Sequence, residues 1–208
     1  MHMADALISP AVGGATWAVA GGLIGYSARR MRHYLDAGRV PLMGVMGAFV
    51  FAAQMINFPV GIGTSGHLVG GALLAVTLGP AAAAIVMTAI LTVQALLFQD
   101  GGVLALGANV FNMAIAGVLA GYLPYHYWGG GKYRKASIFA GGFLSVFVSA
   151  SLAMTQLLLS GVPIPSGIAM VSLGLFAVSA AIEGGITVAV VGALERLNPN
   201  WVKAAEGK

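Results

Sequence analysis

The chain has 208 residues, 59% of them hydrophobic and only 8% charged, with a net charge of +4 and a mean hydropathy of +0.91. Soluble domains carry about 25% charged residues, so this composition excludes an ordinary soluble domain and indicates a polytopic membrane protein. The absence of cysteine excludes thiolate metal sites and disulfides, and the basic residues fall in loops between apolar runs rather than along a nucleic-acid-binding stripe.

At the start of the chain, no hydrophobic leader precedes Met1-His2 and the first basic residue is Arg29, so no signal peptide is expected. The α-amine of Met1, the backbone nitrogen of His2 and the His2 imidazole offer nitrogen donors that can wrap a small divalent ion in fused chelate rings. A further nitrogen from elsewhere would complete a square plane, the geometry of Ni(II) and Cu(II). The bulky second residue is expected to preserve Met1.

A helical span needs roughly 20 apolar residues. Runs at about 8–28, 40–57, 80–98, 103–124, 137–160 and 167–194 satisfy this, and a shorter segment, 67–79, precedes Pro80. As one helix, 67–98 would reach about 48 Å against a hydrocarbon core of about 30 Å, so Gly79-Pro80 is the expected break. If 67–79 and 80–98 cross separately, Arg29, Arg30, Arg32, Arg39, Lys132, Arg134, Lys135, Arg196, Lys203 and Lys208 all fall on one side. The positive-inside rule makes that side the cytoplasm. A re-entrant hairpin over the same residues sorts the charges equally well. The expected fold is an all-α integral membrane protein of the cell membrane. It has about seven transmembrane helices, the N-terminus outside and the C-terminus cytoplasmic. Residues 1–208 form a single polytopic domain with a metal-binding N-terminus at 1–7.

This topology places Met1, His2, the loop 58–66, Gln99 and Asp100 on the outer face, and His67 starts its helix there. Gln54, Asn57, Gln94, Asn109 and Gln156 lie in the outer halves of their spans, with Asn112 near the middle. Polar groups at such depth usually face a cavity or the bundle interior, so their grouping suggests a polar site opening outward. His67 is the natural further nitrogen donor, whereas His33 and His126 sit in cytoplasmic basic loops. A nitrogen-only set binds Mg2+ and Ca2+ poorly, and Zn2+ prefers a tetrahedron. The planar chelate favours Ni2+ or Cu2+, with Co2+ left open. Ser65, Asp100 and Asn109 are candidate acceptors for orienting the rings. The amine and imidazoles must be deprotonated to bind, so acid should weaken the site.

Three other features bear on function. Gly63-Thr64-Ser65-Gly66 has the look of a rhomboid serine protease motif, but such an enzyme needs a base from a distant span, and no later span contains a His. Glu183 is the only acid within a span. It is read either as a protonated carboxyl bonding a neighbouring helix or as a group coupling to a partner. Small residues recur at helical spacing, as in Gly14, Ala18 and Gly22 and in Gly117 and Gly121, and let helices approach closely within this chain or with another. Gly129-Gly130-Gly131-Lys132 lacks the Walker A spacing, so any ATPase would be a separate chain.

The opening MHMADALISP, the stretch SGHLVGGALLAVTLGP from Ser65, QALLFQDGG from Gln94 and ALGANVFNM from Ala105 occur in this order. Together they resemble the CbiM/NikM family, the substrate-capture membrane subunits of energy-coupling-factor cobalt and nickel importers. Ala6 stands where the family pattern has Gly. The resemblance implies that Met1, His2 and His67 hold the metal. It also implies partners: a transmembrane coupling subunit, a pair of cytoplasmic ATPases and a small accessory membrane subunit. The chain would then be a non-catalytic component, with no cofactor and with Ni2+ or Co2+ as transported ligand. The planar nitrogen set favours Ni2+. A stand-alone metal permease and the intramembrane protease are the alternatives.

Overall fold

The computed structural model describes residues 2–34, 37–59 and 65–203. Met1, Gly63, Thr64 and Lys208 lie outside this set, as do the side chains of His33 and Ser65. Seven helices account for most of the described residues: α1 (Pro10–Tyr34), α2 (Val40–Gln54), α3 (Gly71–Leu78), α4 (Pro80–Leu97), α5 (Leu106–Trp128), α6 (Arg134–Leu159) and α7 (Ser166–Leu197). Helices α4 to α7 each have the length and apolarity to cross a membrane. A short antiparallel pair, β1 (Phe58–Pro59) and β2 (Ser65–Gly66), joins α2 to α3, with Phe58 opposite Gly66.

Cross-chain contacts define two ends of the bundle. At one end the start of α1 meets the start of α5: the Trp17 indole N–H donates to the Val103 carbonyl at 3.1 Å. His2, His67 and Asp100 share this end. At the other end the Arg134 guanidinium donates to the Tyr125 hydroxyl at 2.9 Å and pairs with Glu195. Tyr125 in turn donates to the Lys203 carbonyl, and the Lys203 N–H donates to the Val76 carbonyl at 3.0 Å. This second end gathers the basic residues that the charge pattern had grouped, as far as they are described. Among the described residues, the seven helices follow one another between these two ends, four of them long and apolar enough to cross a membrane.

The third pass is not the helix expected over 67–79. Residues 67–70 are not helical, and α3 is 8 residues long, about 12 Å at 1.5 Å per residue. Its first residue, Gly71, packs against Ser145 and Gly117, near the midpoints of α6 and α5. The pass is therefore a half-helix that begins inside the bundle and continues to the basic end. Bundles tolerate such interrupted backbone only where protein supplies its hydrogen bonds. All eight residues of α3 are buried. Pro80 then opens α4, so the break at Gly79-Pro80 stands as expected.

The main core runs through this half-helix. Leu73, Leu74 and Val76 of α3 pack with Val50, Met87, Val118, Val146 and Phe176 from five neighbouring helices. Helix α5 widens to a π-helix over Val110–Gly117. The loosened turn lets the Asn112 carbonyl accept the Ser149 hydroxyl of α6 at 2.9 Å, a local departure typical of π segments.

Candidate metal centre

The site is built on a docked N-terminal segment. The Met3 side chain is fully buried and forms a small apolar cluster with Ile8, Ala105, Ala108, Ala153 and Leu157. Burying a Met side chain contributes about 1.5–3 kcal/mol. Polar contacts set the segment's register. The Met3 N–H donates to Asn109 Oδ1 at 3.0 Å, and the Met3 carbonyl accepts from the Gly102 N–H at 3.1 Å. The Asp5 carboxylate accepts the backbone N–H groups of Val103 at 3.0 Å and Ala105 at 2.9 Å. A carboxylate serving N–H groups just ahead of a helix also suits the helix dipole.

This docking carries His2 into the interior, face to face with His67. The two rings stack with centroids 4.6 Å apart and 18° between planes. Only 6% of His2 and 2% of His67 is exposed. His67 Nδ1 lies 2.7 Å from the Leu68 carbonyl. A neutral imidazole that donates there carries its free lone pair on Nε2. That Nε2 has no hydrogen-bond partner among the described residues. His2 Nδ1 stands 3.1 Å from Asp100 Oδ1, without hydrogen-bond geometry, and among the described residues neither of its ring nitrogens has a hydrogen-bond partner. Buried polar atoms are normally paired, so these imidazole nitrogens are a local exception that a bound ion would resolve. Burial pushes the His2 imidazole below its ordinary pKa, while Asp100 pulls the other way. The contact with His2 holds the Asp100 carboxyl below the usual carboxylate range.

Of the residues expected to orient the rings, Asp100 does touch His2. Asn109 instead grips the Met3 backbone, so it positions the segment rather than a ring. The Met1 donors and the Ser65 side chain lie outside the described residues. Among the described residues no three His, Cys, Asp or Glu side chains gather around a common point.

The picture of an outward-opening amide cluster needs correction. Asn112 and Gln156 pair with each other through reciprocal 2.8 Å bonds. Gln54 donates to the Val69 carbonyl at 2.6 Å, and Asn57 is exposed. Apart from Asn57, these amides tie segments of the bundle to one another. Gln94 differs: it is fully buried, its side-chain O and N have no hydrogen-bond partner among the described residues, and its backbone carbonyl accepts the Asp100 N–H at 3.1 Å. Met3 was missed as the segment's anchor. A methionine one residue after a candidate ligand is the available signal.

Comparison with known proteins identifies the family. The family profile for CbiM, the cobalt uptake substrate-specific transmembrane region, matches residues 2–201. A putative metal transport protein of Haloquadratum walsbyi is 37% identical over 97% of this chain and 93% of its own length. A putative fused nickel transport protein, NikMN, of Archaeoglobus fulgidus is 37% identical over 100% of this chain and 70% of its own length. A crystal structure of a truncated transition metal transporter superposes with a TM-score of 0.88 at 32% identity, covering 95% of this chain and 99% of that one. With the profile spanning nearly the whole sequence, this multi-pass membrane chain belongs to the CbiM family of metal transport proteins.

Proposed function

We propose that the chain is the capture subunit of a nickel importer, binding Ni2+ with the α-amine of Met1, the backbone nitrogen and imidazole of His2, and Nε2 of His67. The observation that carries this is the buried pair His2–His67: the ring nitrogens of His2, which follows the first amine by one residue, and Nε2 of His67 have no hydrogen-bond partner among the described residues. Coordination would replace the ring stacking and the Asp100 contact with bonds to the ion. The donor chemistry favours nickel: a fused chelate ending in a second imidazole is planar and all-nitrogen, which suits Ni2+ better than Zn2+. The nickel transport name of the Archaeoglobus relative supports the same choice, whereas the family profile is named for cobalt. Co2+ is therefore the competing cargo.

The end bearing the basic residues is taken as cytoplasmic, by the positive-inside rule. The metal centre then faces outward. The way from His67 to the basic end is filled by α3, every residue of which is buried, and such interiors are close-packed. Release inward therefore requires helices to move. This favours a subunit driven by a transmembrane coupling protein and a cytoplasmic ATPase pair, aided by a small accessory membrane subunit, over a permease acting alone.

Calorimetric titration of the detergent-solubilised chain, tagged only at its C-terminus, with Ni2+, Co2+ and Zn2+ tests the proposal. One equivalent of Ni2+ should bind most tightly. His67→Ala should weaken it by more than about 100-fold, since even the outer partners of a ligand are worth 10–100-fold. Unchanged Ni2+ affinity in His67→Ala would remove His67 from the site. Ion uptake by this chain alone in vesicles would favour the permease.

A further inference from the structure

Glu183 has a partner the sequence could not name. It lies within α7, 2% exposed, and both carboxylate oxygens accept backbone N–H groups at the head of α3: Oε2 from Val69 at 2.5 Å and Oε1 from Gly70 at 2.8 Å. An anion at a helix N-terminus is favourable, and a buried carboxylate needs such donors. That much explains why the half-helix can begin inside the bundle.

The peptide unit involved matters more. The Val69 N–H belongs to the Leu68–Val69 peptide, and so does the Leu68 carbonyl that meets His67 Nδ1 at 2.7 Å. A trans peptide is planar, with its C=O and N–H pointing in opposite directions. Glu183 therefore grips one side of a rigid plate, and His67 rests on the other. Hydrogen bonds in such a chain polarise one another. A carboxylate on the N–H makes the carbonyl a better acceptor. A better acceptor at Nδ1 fixes the His67 tautomer and raises the donor strength of Nε2.

We propose that Glu183 is a positioning residue for metal capture, acting on His67 through the Leu68–Val69 peptide as the outer member of a carboxylate–peptide–histidine relay. This deepens the nickel-capture reading and rests on it. Carboxylates placed directly behind metal-bound histidines fix ring orientation and tune affinity in the same way; here one peptide unit is interposed. Gly70 makes room for the arrangement. Its φ is +74°, and a Cβ there would meet the Val50 side chain at 2.6 Å.

The test compares Glu183→Gln with Gln54→Met in the full chain. Glu183→Gln is nearly isosteric, but its amide nitrogen cannot accept a hydrogen bond, so one of the two N–H groups loses its partner. Gln54→Met cuts the bond to the Val69 carbonyl and leaves the Leu68–Val69 peptide intact. Glu183→Gln should weaken Ni2+ binding by about 10–100-fold and shift the Ni(II) visible absorption band. Gln54→Met should weaken it by less than about threefold, with the band unmoved, even where the two variants lose equal thermal stability. Equal losses of affinity in both variants, or a Glu183→Gln protein with wild-type affinity and spectrum, would overturn the relay. Failure of the wild-type chain itself to bind Ni2+ would overturn the capture reading instead, so the two outcomes are distinct.

Discussion

Replacing Asn109 with Leu separates the docked N-terminal segment from the helical bundle beneath it. The substitution keeps the side chain's branching and heavy-atom count and removes its polar atoms. The Met3 N–H then loses its 3.0 Å acceptor in a fully buried position, whereas the Met3 carbonyl keeps the Gly102 N–H at 3.1 Å. The Asn109 Nδ2 contact with that carbonyl is 3.4 Å long and adds little. Leaving one buried donor unpaired costs about 1–3 kcal/mol. At about 2 kcal/mol, the docked position that brings His2 to His67 is disfavoured by about 30-fold. Apparent Ni2+ affinity should fall by up to that factor, because a ligand pays for any scarcity of its binding-competent state. Calorimetry with Ni2+ reads the affinity, and helical circular dichroism on heating reads the bundle, whose melting should barely move. Undiminished affinity would refute the reasoning. So would a parallel collapse of the helical fold, since the segment would then be integral to the bundle rather than docked on it.

Further outcomes follow from the same geometry. A methyl group on Gly102 would run into the Asp5 carboxylate and backbone, so Gly102→Ala should weaken Ni2+ capture by about tenfold or more. Asp5→Ala should do the same, and the double variant should lose little beyond either single one, since neighbours sharing a contact do not add. In Gly70→Ala the methyl combines a positive φ with a clash at Val50, and strain of this kind costs about 1–3 kcal/mol, readable as a lowered thermal midpoint. The pH response has a definite sign. Protons compete with the ion, so affinity falls as pH falls. Burial keeps His2 neutral below its ordinary pKa, and a proton on His67 Nε2 would find no acceptor among the described residues. Between about pH 7.5 and 6.5 only the Met1 amine, with a reference pKa of about 7.7–8.0, and the coordinated amide should exchange protons. The logarithm of affinity should then change by about two per pH unit, and a slope near four would show that the imidazoles are charged in that window.

Much of this architecture is legible in the sequence because hydropathy and charge report on side chains. The long apolar helices, the break at Gly79-Pro80, the gathering of basic residues at one end and the meeting of His2 with His67 all follow from patterns in the chain. What is not legible depends on the backbone. Leu68, Val69 and Gly70 read as apolar as the helix after them, so hydropathy cannot show that they are unwound. Val69 and Glu183 are 114 positions apart, and no local pattern links them. A useful signal was present: a lone acid in one span and a Gly70-Gly71 pair in another are what an interrupted membrane helix requires, freed N–H groups on one side and an acceptor on the other. Asn112 and Gln156 mislead for a related reason. An amide in a span looks like part of a site until its partner amide is located.

The central claim is that the free amine of Met1 is a metal ligand, placed by the docking of the residues after it. The direct test is Ni2+ titration of the chain carrying one extra residue, or an acetyl group, ahead of Met1, beside a chain extended only at its C-terminus. The account predicts that the N-terminal change abolishes tight Ni2+ binding while the helical fold survives, and that the C-terminal extension has no effect. Full Ni2+ affinity in the N-terminally blocked chain would contradict it.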